Sequence, residues 1–491
     1  MTDTRQLSRA LTPVVTAALG NDAAIDNLRA LTGGASRSTW AFDAVTGDQR
    51  HALILRIGPP DDVHAGMELE ARVQAAAAAA GAPVPRILVA DNSAAALGNP
   101  FLICDEIKGE TIVRRIDRRL DDEDRPRLLR QCAQALAAIN SADARDADLQ
   151  AQDQLGQWRD RLDTMADTTA TFEWVFRWLA AHRPVPSPQL LVHGDFRMGN
   201  LIVDGAQLAA VLDWELVHVG EAYEDLAWFC IRAWRFGAPV DRGAGGLGSV
   251  EDFLSAYEGA AGVRVDRASF HWWLILATLR WGVICRYQAE RHLSGQTRSV
   301  ELAAIGRRVC ETEWDLLNLI ERIPPGDDAG RVPAPPGDNA GRAAAPPGDN
   351  AGRGAARGGA GLFAGGGAGQ FAGGAGQSDP TGLYGRPSAA ELVVAVAEFL
   401  ERDVRESTVG QVNFHARVAA NVLRIVEREL LGDAGIEVAD VLAGLGFADE
   451  AQLAAAIRRG ALDDRADDVT HCLRALVSHR LGVAHPGYQH E

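Results

Sequence analysis

One stretch, HGDFRMGNLIVDGAQLAAVLDWE at residues 193–215, constrains the fold of this chain more than any other. Two short apolar runs flank Asp204 and Gly205, a pair that favours a tight hairpin turn. Apolar runs of this length, punctuated by Gly, are typical of short buried strands. A hairpin of two such strands would bring Asn200, which precedes the first strand, next to Asp213, which follows the second.

The polar residues of this stretch suit phosphoryl transfer. Asp195 is a candidate acceptor for a hydroxyl proton, and Asn200 and Asp213 could hold Mg²⁺ through oxygen atoms. Two carboxylates held together without a cation would raise the pKa of one of them. A divalent ion removes that penalty, so the cluster favours a magnesium site over an acid/base dyad. The alternative is a buried strand–turn–strand in which Asp and Asn only cap the backbone.

The motif H-x-D-x-x-x-x-N, followed by a strand and D-W-E, resembles the signature of the aminoglycoside phosphotransferase and choline kinase-like family. The resemblance implies an α+β, protein-kinase-like two-lobed fold, with an antiparallel sheet plus a helix in the N-lobe and a mostly helical C-lobe. It also implies ATP and Mg²⁺ as cofactors. The implied roles are catalytic base for Asp195, loop orientation for His193, magnesium ligation for Asn200 and Asp213, and a supporting or second-metal role for Glu215, with Arg197 in the same catalytic loop.

Two upstream segments are candidates for binding the nucleotide. Gly33, Gly34 and Ser36 lie in a Gly-rich turn between predicted strands, where backbone N–H groups can approach phosphate oxygens. A plain loop is the alternative for this turn. The run PFLICDEIKG resembles the hinge of the family, so backbone groups around Asp105 and Ile107 would bind adenine. An ordinary buried strand is the alternative there.

Arg56 ends a predicted strand at the place where the family commonly carries Lys or Arg. The resemblance implies that Arg56 contacts the α- and β-phosphates and pairs with an acidic residue of the next helix. Glu70 is the expected partner, and Glu68 is its competitor. Arg keeps the charge of the Lys that defines protein kinases but offers a planar fork. The alternative is an exposed Arg at the end of a strand.

The residues after the catalytic stretch are candidates for the acceptor side of the site. Asp225 matches an acid of the family that usually braces the catalytic loop. Arg232 and Arg235 are three apart on one predicted helical face, interleaved with Trp, and could clamp a carboxylate or phosphate of the acceptor. Core Trp with solvated Arg is the alternative. Trp281, on a later Trp-rich helix, could line a partly apolar acceptor pocket or could simply be core.

Residues 324–386 differ in composition from the rest of the chain. The units PPGDDAGRVPA, PPGDNAGRAAA and PPGDNAGRGAA repeat with a period of eleven residues, and a Gly/Ala tract follows. Such a segment cannot bury enough apolar surface to offset its chain entropy, which predicts a disordered Gly/Pro/Ala linker. Ser388 with Glu391 is a helix-capping signature just beyond it. The predicted domains are a kinase-like domain at 1–323, with its N-lobe at about 1–108 and its C-lobe at about 109–323, and a small all-α accessory domain at 387–491.

Composition limits the other possibilities. The chain has 491 residues and a formal net charge of −17, and an acidic protein without a basic stripe argues against nucleic acid as a partner. No apolar run approaches membrane length and no signal peptide is evident, so no membrane is expected. The scattered Cys residues favour a reducing compartment, which predicts a cytoplasmic location. Apolar residues recur at helical spacing from Leu7 onward, which predicts an amphipathic helix over residues 1–30.

These patterns predict an ATP- and Mg²⁺-dependent kinase that phosphorylates a hydroxyl of a small molecule. The segments GGASR, HGDFRMGN, DWE and DLAWFCIRAWRFG look closer to the kinase domains associated with acyl-CoA dehydrogenases than to antibiotic-resistance enzymes. That resemblance implies a hydroxyacyl-CoA or hydroxy acid as the acceptor. Alternatives are a nucleotide-binding pseudokinase or scaffold with the C-terminal helices as a module for a protein partner, and a kinase for aminoglycosides or other amino alcohols. A protein kinase is disfavoured because no long activation segment follows Asp213.

Overall fold

The chain divides into two compact units, one made of Met1–Gly330 with Val441–Glu491 and the other of Arg331–Asp440. The structure, a computed structural model, describes residues 4–20, 22–31, 37–58, 66–143, 149–165, 167–322, 388–432 and 436–490. The predicted linker at 324–386 lies outside the described residues. So does the Gly-rich turn with Gly33, Gly34 and Ser36.

The N-terminal lobe of the larger unit contains an antiparallel sheet of five strands in the order β1-β2-β3-β5-β4. Alternate residues of β5 face opposite sides of the sheet. Phe101 and Ile103 pack with the buried leucines of the first helix, α1. Leu102 and Cys104 pack with Met67 at the start of α2, so the two helices cover opposite faces. The elements are α1 Thr4–Leu19, β1 Ala24–Leu31, β2 Ser38–Thr46, β3 Gln49–Ile57, α2 Met67–Ala79, β4 Ile87–Asp91 and β5 Phe101–Asp105.

The helix predicted over residues 1–30 is shorter than expected. Helix α1 ends at Leu19 and strand β1 begins at Ala24, so the prediction was wrong for the second half of this segment. Strand β1 is mostly exposed, and its pairing with β2 shifts register between Asp26 and Arg29. An exposed strand with a register shift does not show the regular alternation of apolar and polar residues by which a strand is recognised.

The C-terminal lobe is mostly helical, and the long helix α9, Arg267–Leu293, contributes many of its buried side chains. Two short pairs of strands complete it: β6 Gln189–Val192 with β9 His218–Glu221, and β7 Leu201–Asp204 with β8 Gln207–Val211. The lobe confirms the predicted α+β, two-lobed architecture. Its other helices are α3 Val113–Arg119, α4 Asp124–Ser141, α5 Gln154–Asp163, α6 Ala170–Ala181, α7 Tyr223–Cys230, α8 Val250–Ala261, α10 Val300–Gly306 and α11 Val309–Glu321, with a 3-10 helix at Arg232–Arg235.

The hairpin β7–β8 has the form that the sequence predicts. Asp204 pairs with Gln207, so the loop consists of Gly205 and Ala206. Gly205 has φ +60°, a left-handed conformation that Gly adopts without strain. Beyond the strands, the backbone N–H of Leu212 donates to the carbonyl of Asn200 at 2.8 Å. The pairing therefore continues past the hairpin and places Asn200 beside the Leu212–Asp213 peptide.

The last fifty residues group with the larger unit and not with the helices that precede them. Helix α16, Glu450–Arg458, packs on α6, and helix α17, Ala466–Ala484, packs on α11. Ion pairs link these elements: Arg480 to Glu313 at 3.1 Å, and Arg474 to Glu321 at 2.7 Å. The division between compact units thus falls near Asp440, inside the helical segment predicted at 387–491. Both α16 and α17 also bury apolar side chains, among them Leu453 and Leu473.

Most of the described residues of the smaller unit are helical. Helix α12, Ala389–Phe399, continues through a π-helical turn at Leu400–Val404 into α13, Arg405–Ser407. The capping box of Ser388 and Glu391 is present at the start of α12, which confirms the signature seen in the sequence. Helix α14, Gly410–Leu431, packs against α12, and α15, Ile436–Leu445, crosses the division between units.

Candidate active site

A sharp turn after β6 carries the catalytic loop. Gly194 has φ +83°, and a Cβ there would lie 2.4 Å from the carbonyl oxygen of Leu216. Only Gly satisfies both requirements, because other residues are strained in this conformation and would also clash with backbone. The turn places His193 on one side and Asp195 on the other, which accounts for the H-G-D spacing.

His193 joins the catalytic loop to the segment that carries Asp213. Its Nδ1 accepts from the backbone N–H of Asp195 at 3.2 Å, so Nε2 is the atom that donates to the carbonyl of Leu212, at 3.0 Å. The Asp225 carboxylate accepts from the backbone N–H groups of His193, at 2.7 Å, and of Gly194, at 2.9 Å. The predicted bracing role of Asp225 is therefore confirmed. Burial raises the pKa of Asp225, and the neighbouring His193 opposes that shift.

The Asp195 carboxylate is held from several directions. Its Oδ1 accepts from the indole N–H of Trp228 at 2.7 Å and from Nε of Arg197 at 3.1 Å. Its Oδ2 accepts from the side-chain amide of Asn200 at 2.6 Å. The Arg197 guanidinium also lies over the ring of Trp234, at 4.8 Å from its centroid. These contacts fix the orientation of the carboxylate, as a base that must meet an incoming hydroxyl requires.

A buried cation lies behind this loop. Arg280 of α9 donates from Nη2 to the carbonyl of Gly194 at 2.6 Å, and its guanidinium lies 4.2 Å from the ring centroid of Trp228. Burial lowers the pKa of Arg280, and the nearby carboxylates of Asp195 and Asp225 oppose that shift. Arg280 therefore places positive charge between two carboxylates of the site.

A cluster of charged side chains occupies the space between the sheet and the catalytic loop. Arg56 donates from Nη1 to Glu70 at 3.2 Å and from Nη2 to Asp213 at 2.9 Å, so the predicted pairing of Arg56 with Glu70 is present. Arg37, which is buried, also pairs with Glu70. Glu215 lies 4.0 Å from both arginines. Burial lowers the pKa of Arg56, but the charges of Glu70, Asp213 and Glu215 outweigh burial and raise it overall.

Glu68, the alternative partner for Arg56 on helix α2, makes a different contact. The Glu68 carboxylate accepts from the backbone N–H of Asn92 at 3.3 Å, at the exposed side of α2. Glu70, by contrast, is fully buried. Two residues along a helix point to well-separated directions, so only one of the two acids can face the interior.

The oxygen atoms near the end of the β7–β8 hairpin fit a magnesium ion. Asn200 uses its amide nitrogen for Asp195, which leaves its amide oxygen as a ligand. Asp213 has φ +67°, an uncommon conformation for a residue other than Gly, and its side chain is 34% exposed. Within the described residues no three His, Cys, Asp or Glu side chains are grouped as a metal site. In proteins Mg²⁺ is usually bound by one or two carboxylates and other oxygen ligands such as an amide oxygen, and phosphate oxygens complete its coordination.

The hinge candidates lie at the end of β5. The backbone N–H of Asp105 donates to the carbonyl of Arg86 at 3.0 Å, and that of Glu106 donates to Ala52 at 2.9 Å. The Asp105 carboxylate pairs with Arg86, at 3.0 Å. Ile107 follows the last of these sheet contacts, and a contact of either residue with adenine stays a prediction.

The three acceptor candidates have different surroundings. Arg232 pairs with Asp315 at 3.0 Å, and its guanidinium lies 3.7 Å from the ring centroid of Tyr488. Arg235 lines a cavity. Trp281 packs against Trp234, with ring centroids 4.8 Å apart. Arg232 and Arg235 share a short 3-10 helix, and the role of the pair as a clamp for the acceptor stays a prediction.

The cavity at Arg235 lies beside the catalytic loop, since Met198 of that loop is part of its wall. It has a volume of about 90 Å³. Three arginines, Arg114, Arg235 and Arg242, and one acid, Asp117, contribute to its lining. Arg242 pairs with Asp117 at 3.2 Å. The side chains that line the cavity thus include three arginines and one carboxylate.

Several neighbours of the site were not predicted. Trp228 and Arg280 contact the catalytic loop from helices whose Trp and Arg residues look like ordinary core and surface in the sequence. Arg37 directly follows the Gly-rich turn, and this adjacency is the only signal that could have identified it. Among the described residues no helix is long and apolar enough to span a membrane.

Comparison with known proteins agrees with this geometry. Residues 27–269 match the phosphotransferase enzyme family, and residues 406–488 match a domain of unknown function (DUF6285). Acyl-CoA dehydrogenase family member 10 of Mus musculus is 28% identical over 290 residues, which cover 54% of this chain and 27% of that protein. Acyl-CoA dehydrogenase family member 11 of Homo sapiens is 24% identical over 287 residues, covering 54% of this chain and 36% of that protein. The chain thus spans only about a third of the length of these relatives.

A solved structure shows the same fold. The crystal structure of a putative aminoglycoside phosphotransferase from Ralstonia eutropha superposes with a TM-score of 0.53 and 21% identity, covering 63% of this chain and 97% of that one. The matched residues 27–269 include the stretch 193–215. Residues 27–269 are therefore similar to the phosphotransferase enzyme family, and the fold is that of the solved aminoglycoside phosphotransferase-like structure.

Proposed function

We propose that the chain is an ATP- and Mg²⁺-dependent kinase that transfers the γ-phosphoryl group to a hydroxyl of a small anionic acceptor, such as a hydroxy acid or a hydroxyacyl-CoA. One observation supports the proposal above all. Asp195 is bonded to Asn200, and Asn200 lies beside the Leu212–Asp213 peptide across the hairpin. A base and two magnesium ligands are thereby held within one short loop and one hairpin.

The chain's own residues have separable tasks in this reaction. The acceptor hydroxyl attacks the γ-phosphorus, its proton passes to the Asp195 carboxylate, and the bond from the γ-phosphorus to the bridging oxygen breaks to release ADP. Arg56, which donates to Glu70, would contact the nucleotide phosphates. Asn200, Asp213 and Glu215 would hold Mg²⁺, which neutralises charge on the phosphates when it is bound.

The cavity beside the catalytic loop favours an anionic acceptor. Its acid, Asp117, is paired with both Arg242 and Arg125, at 3.2 and 3.3 Å, so its charge is offset. Arg114 and Arg235 then present guanidinium groups that suit a carboxylate or phosphate. A polycationic aminoglycoside would meet repulsion here, which makes an amino-alcohol kinase the weaker candidate.

An acceptor screen tests the proposal. The purified full chain is incubated with ATP, MgCl₂ and a panel of hydroxyacyl-CoAs, hydroxy acids, choline-like alcohols and aminoglycosides, and phosphorylated product is identified by mass spectrometry. We expect turnover of anionic acceptors only. Exclusive turnover of cationic acceptors would overturn the anionic assignment. ATP binding without turnover, unchanged in Asp195→Asn, would favour the scaffold.

Paired variants of Arg sharpen the result. Arg235→Gln removes a guanidinium from the cavity and should raise the acceptor KM about tenfold while leaving the ATP KM unchanged. Arg118→Gln is the matched control, because Arg118 lies on the same helix as Arg114 but outside the cavity lining. Equal effects from the two variants would show that general surface charge, and not the cavity, attracts the acceptor.

A further inference from the structure

The 3-10 helix Tyr488–His490 contacts Arg232, the first residue of the 3-10 helix Arg232–Arg235. Tyr488 is buried, and its hydroxyl donates to Oδ2 of Asp315 at 2.7 Å. Its backbone carbonyl accepts from Nη2 of Arg232 at 2.7 Å, while its ring lies against the same guanidinium. Arg232 also pairs with Asp315 through Nη1. Three residues from three separate segments thus form one closed group of contacts.

This group is connected to the catalytic base through a short helix. Arg232 begins the 3-10 helix Arg232–Arg235, in which Trp234 is buried. Trp234 packs edge-on against Trp228, with ring centroids 5.3 Å apart, and its face lies under the guanidinium of Arg197. Trp228 and Arg197 are both hydrogen-bonded to Asp195. A displacement of the 3-10 helix would therefore loosen two of the groups that orient the base.

We propose that Tyr488 is a positioning residue of the phosphotransferase: by clamping Arg232 against Asp315 it fixes the 3-10 helix that supports Arg197 and Trp228 around Asp195. The C-terminal segment then supports the catalytic loop in addition to covering α6 and α11. The function of the kinase-like domain depends on residues more than 150 positions beyond α11.

The rest of the segment does not depend on Tyr488 for its attachment. Arg177 of α6 pairs with Asp463, and Arg458 pairs with Asp163 at 2.6 Å. Arg480 donates to Glu313, which is fully buried. These contacts lie on α6, α5 and α11 and do not touch the 3-10 helix. Loss of Tyr488 alone should therefore leave the segment attached while releasing Arg232.

Hydrogen exchange of the full chain tests the proposal without any acceptor. The backbone N–H of Trp234 donates to Ile231 at 3.0 Å and that of Ala238 donates to Arg235 at 3.0 Å, so both report on the 3-10 helix. Tyr488→Ala should accelerate exchange of these amides about tenfold, and Tyr488→Phe, which keeps the ring, about threefold. Exchange in α8 should not change.

Asp463→Asn is the matched control, because it removes an ion pair of the same segment away from Arg232. It should leave exchange at Trp234 and Ala238 unchanged. Unchanged exchange in Tyr488→Ala, or equal acceleration in Asp463→Asn, would overturn the proposal. If Tyr488→Ala does not fold, Tyr488→Phe takes its place in the comparison. Unchanged exchange in Tyr488→Phe, or equal acceleration in Asp463→Asn, would then overturn the proposal.

A kinetic measurement, which rests on the proposed function, distinguishes failure of the positioning role of Tyr488 from failure of the proposed kinase activity. With an acceptor found in the screen, Tyr488→Phe should lower kcat about threefold at an unchanged ATP KM. If Tyr488 had a purely structural role, its replacement would lower the fraction of active enzyme and leave the acceptor KM and the pH profile of kcat unchanged. Misplacement of Asp195 should instead alter the pH profile of kcat. Absence of turnover in the unmodified chain would count against the proposed function and leave the exchange result standing.

Discussion

The two halves of the active site are held by different kinds of contact. Around the catalytic loop, backbone groups and buried side chains dominate: Asp225 binds two backbone N–H groups, and Arg280 binds a carbonyl. Between the lobes, charged side chains bind one another, with Arg56 placed between Glu70 and Asp213. The first half is fixed by the fold, whereas the second is a set of ion pairs that can exchange partners.

The difference matches the tasks proposed for the two halves. A base must be oriented before the acceptor arrives, and contacts to backbone provide that order. Nucleotide phosphates and Mg²⁺ bring large charges into the site, so the groups that receive them must give up other partners. Asp213 now binds Arg56, and we expect that contact to be replaced when the metal binds.

The largest expected effect is on the base itself. Asp195→Asn should lower kcat by about a hundredfold or more, because an amide cannot accept the hydroxyl proton. ATP affinity should be retained, as measured by isothermal titration calorimetry. Asp204→Asn, at the exposed turn of β7–β8, serves as the control and should leave kcat unchanged. Equal kcat in Asp195→Asn and the unmodified chain would remove Asp195 from the chemistry.

Replacement of Asp225, which braces the catalytic loop, should affect stability more than the replacements of Asp213 and Arg56 described below. Asp225→Asn leaves one of two buried backbone N–H groups without an acceptor and should lower the free energy of unfolding by about 2 kcal/mol. Urea denaturation followed by tryptophan fluorescence measures this. A loss below about 0.5 kcal/mol would contradict the view that the loop is held mainly by hydrogen bonds to backbone.

A change at the metal candidate should separate binding from stability. Asp213→Asn should weaken ATP binding in the presence of Mg²⁺ by about tenfold, since a carboxylate ligand is lost. Stability should change little, because a partly exposed ion pair contributes about 0–1 kcal/mol. Titrations with and without Mg²⁺ check the prediction. If Mg²⁺ raises the ATP affinity of Asp213→Asn as much as that of the unmodified chain, Asp213 is excluded as a magnesium ligand.

The smallest effect is expected for a substitution that keeps the charge between the lobes. Arg56→Lys cannot bridge Glu70 and Asp213 at the same time, since an ammonium group lacks the planar fork. We expect the ATP KM to rise about threefold and the free energy of unfolding to fall by less than about 1 kcal/mol. A loss of stability as large as that of Asp225→Asn would show that the ion pairs are as structural as the catalytic loop.

Local patterns in the sequence predicted much of this architecture. The hairpin β7–β8 has two short apolar runs and a recognisable turn, and the capping box of Ser388 and Glu391 begins α12. The neighbourhood of Asn200 and Asp213 follows from the hairpin alone. The pairing of Arg56 with Glu70 follows from the resemblance to the family and is present.

Contacts between distant segments could not be predicted in the same way. Trp228 and Arg280 lie on helices whose residue types are equally typical of core and surface, and nothing local indicates that they meet Asp195 or Gly194. The attachment of α17 to α11 depends on charge matching between segments about 150 residues apart. Sequence composition predicted a division between domains at the Gly/Pro/Ala segment. The composition of that segment does not indicate which of the later helices pack with the first unit.

The discontinuity of the larger unit has a consequence for its synthesis. Ribosomes release a chain in order, so Arg331–Asp440 emerges before Val441–Glu491. Until α16 and α17 emerge, the acidic side chains of α11 have no Arg480 or Arg474 to receive them. We therefore expect nascent chains stalled before residue 441 to be more sensitive to protease in the C-terminal lobe than chains released at full length.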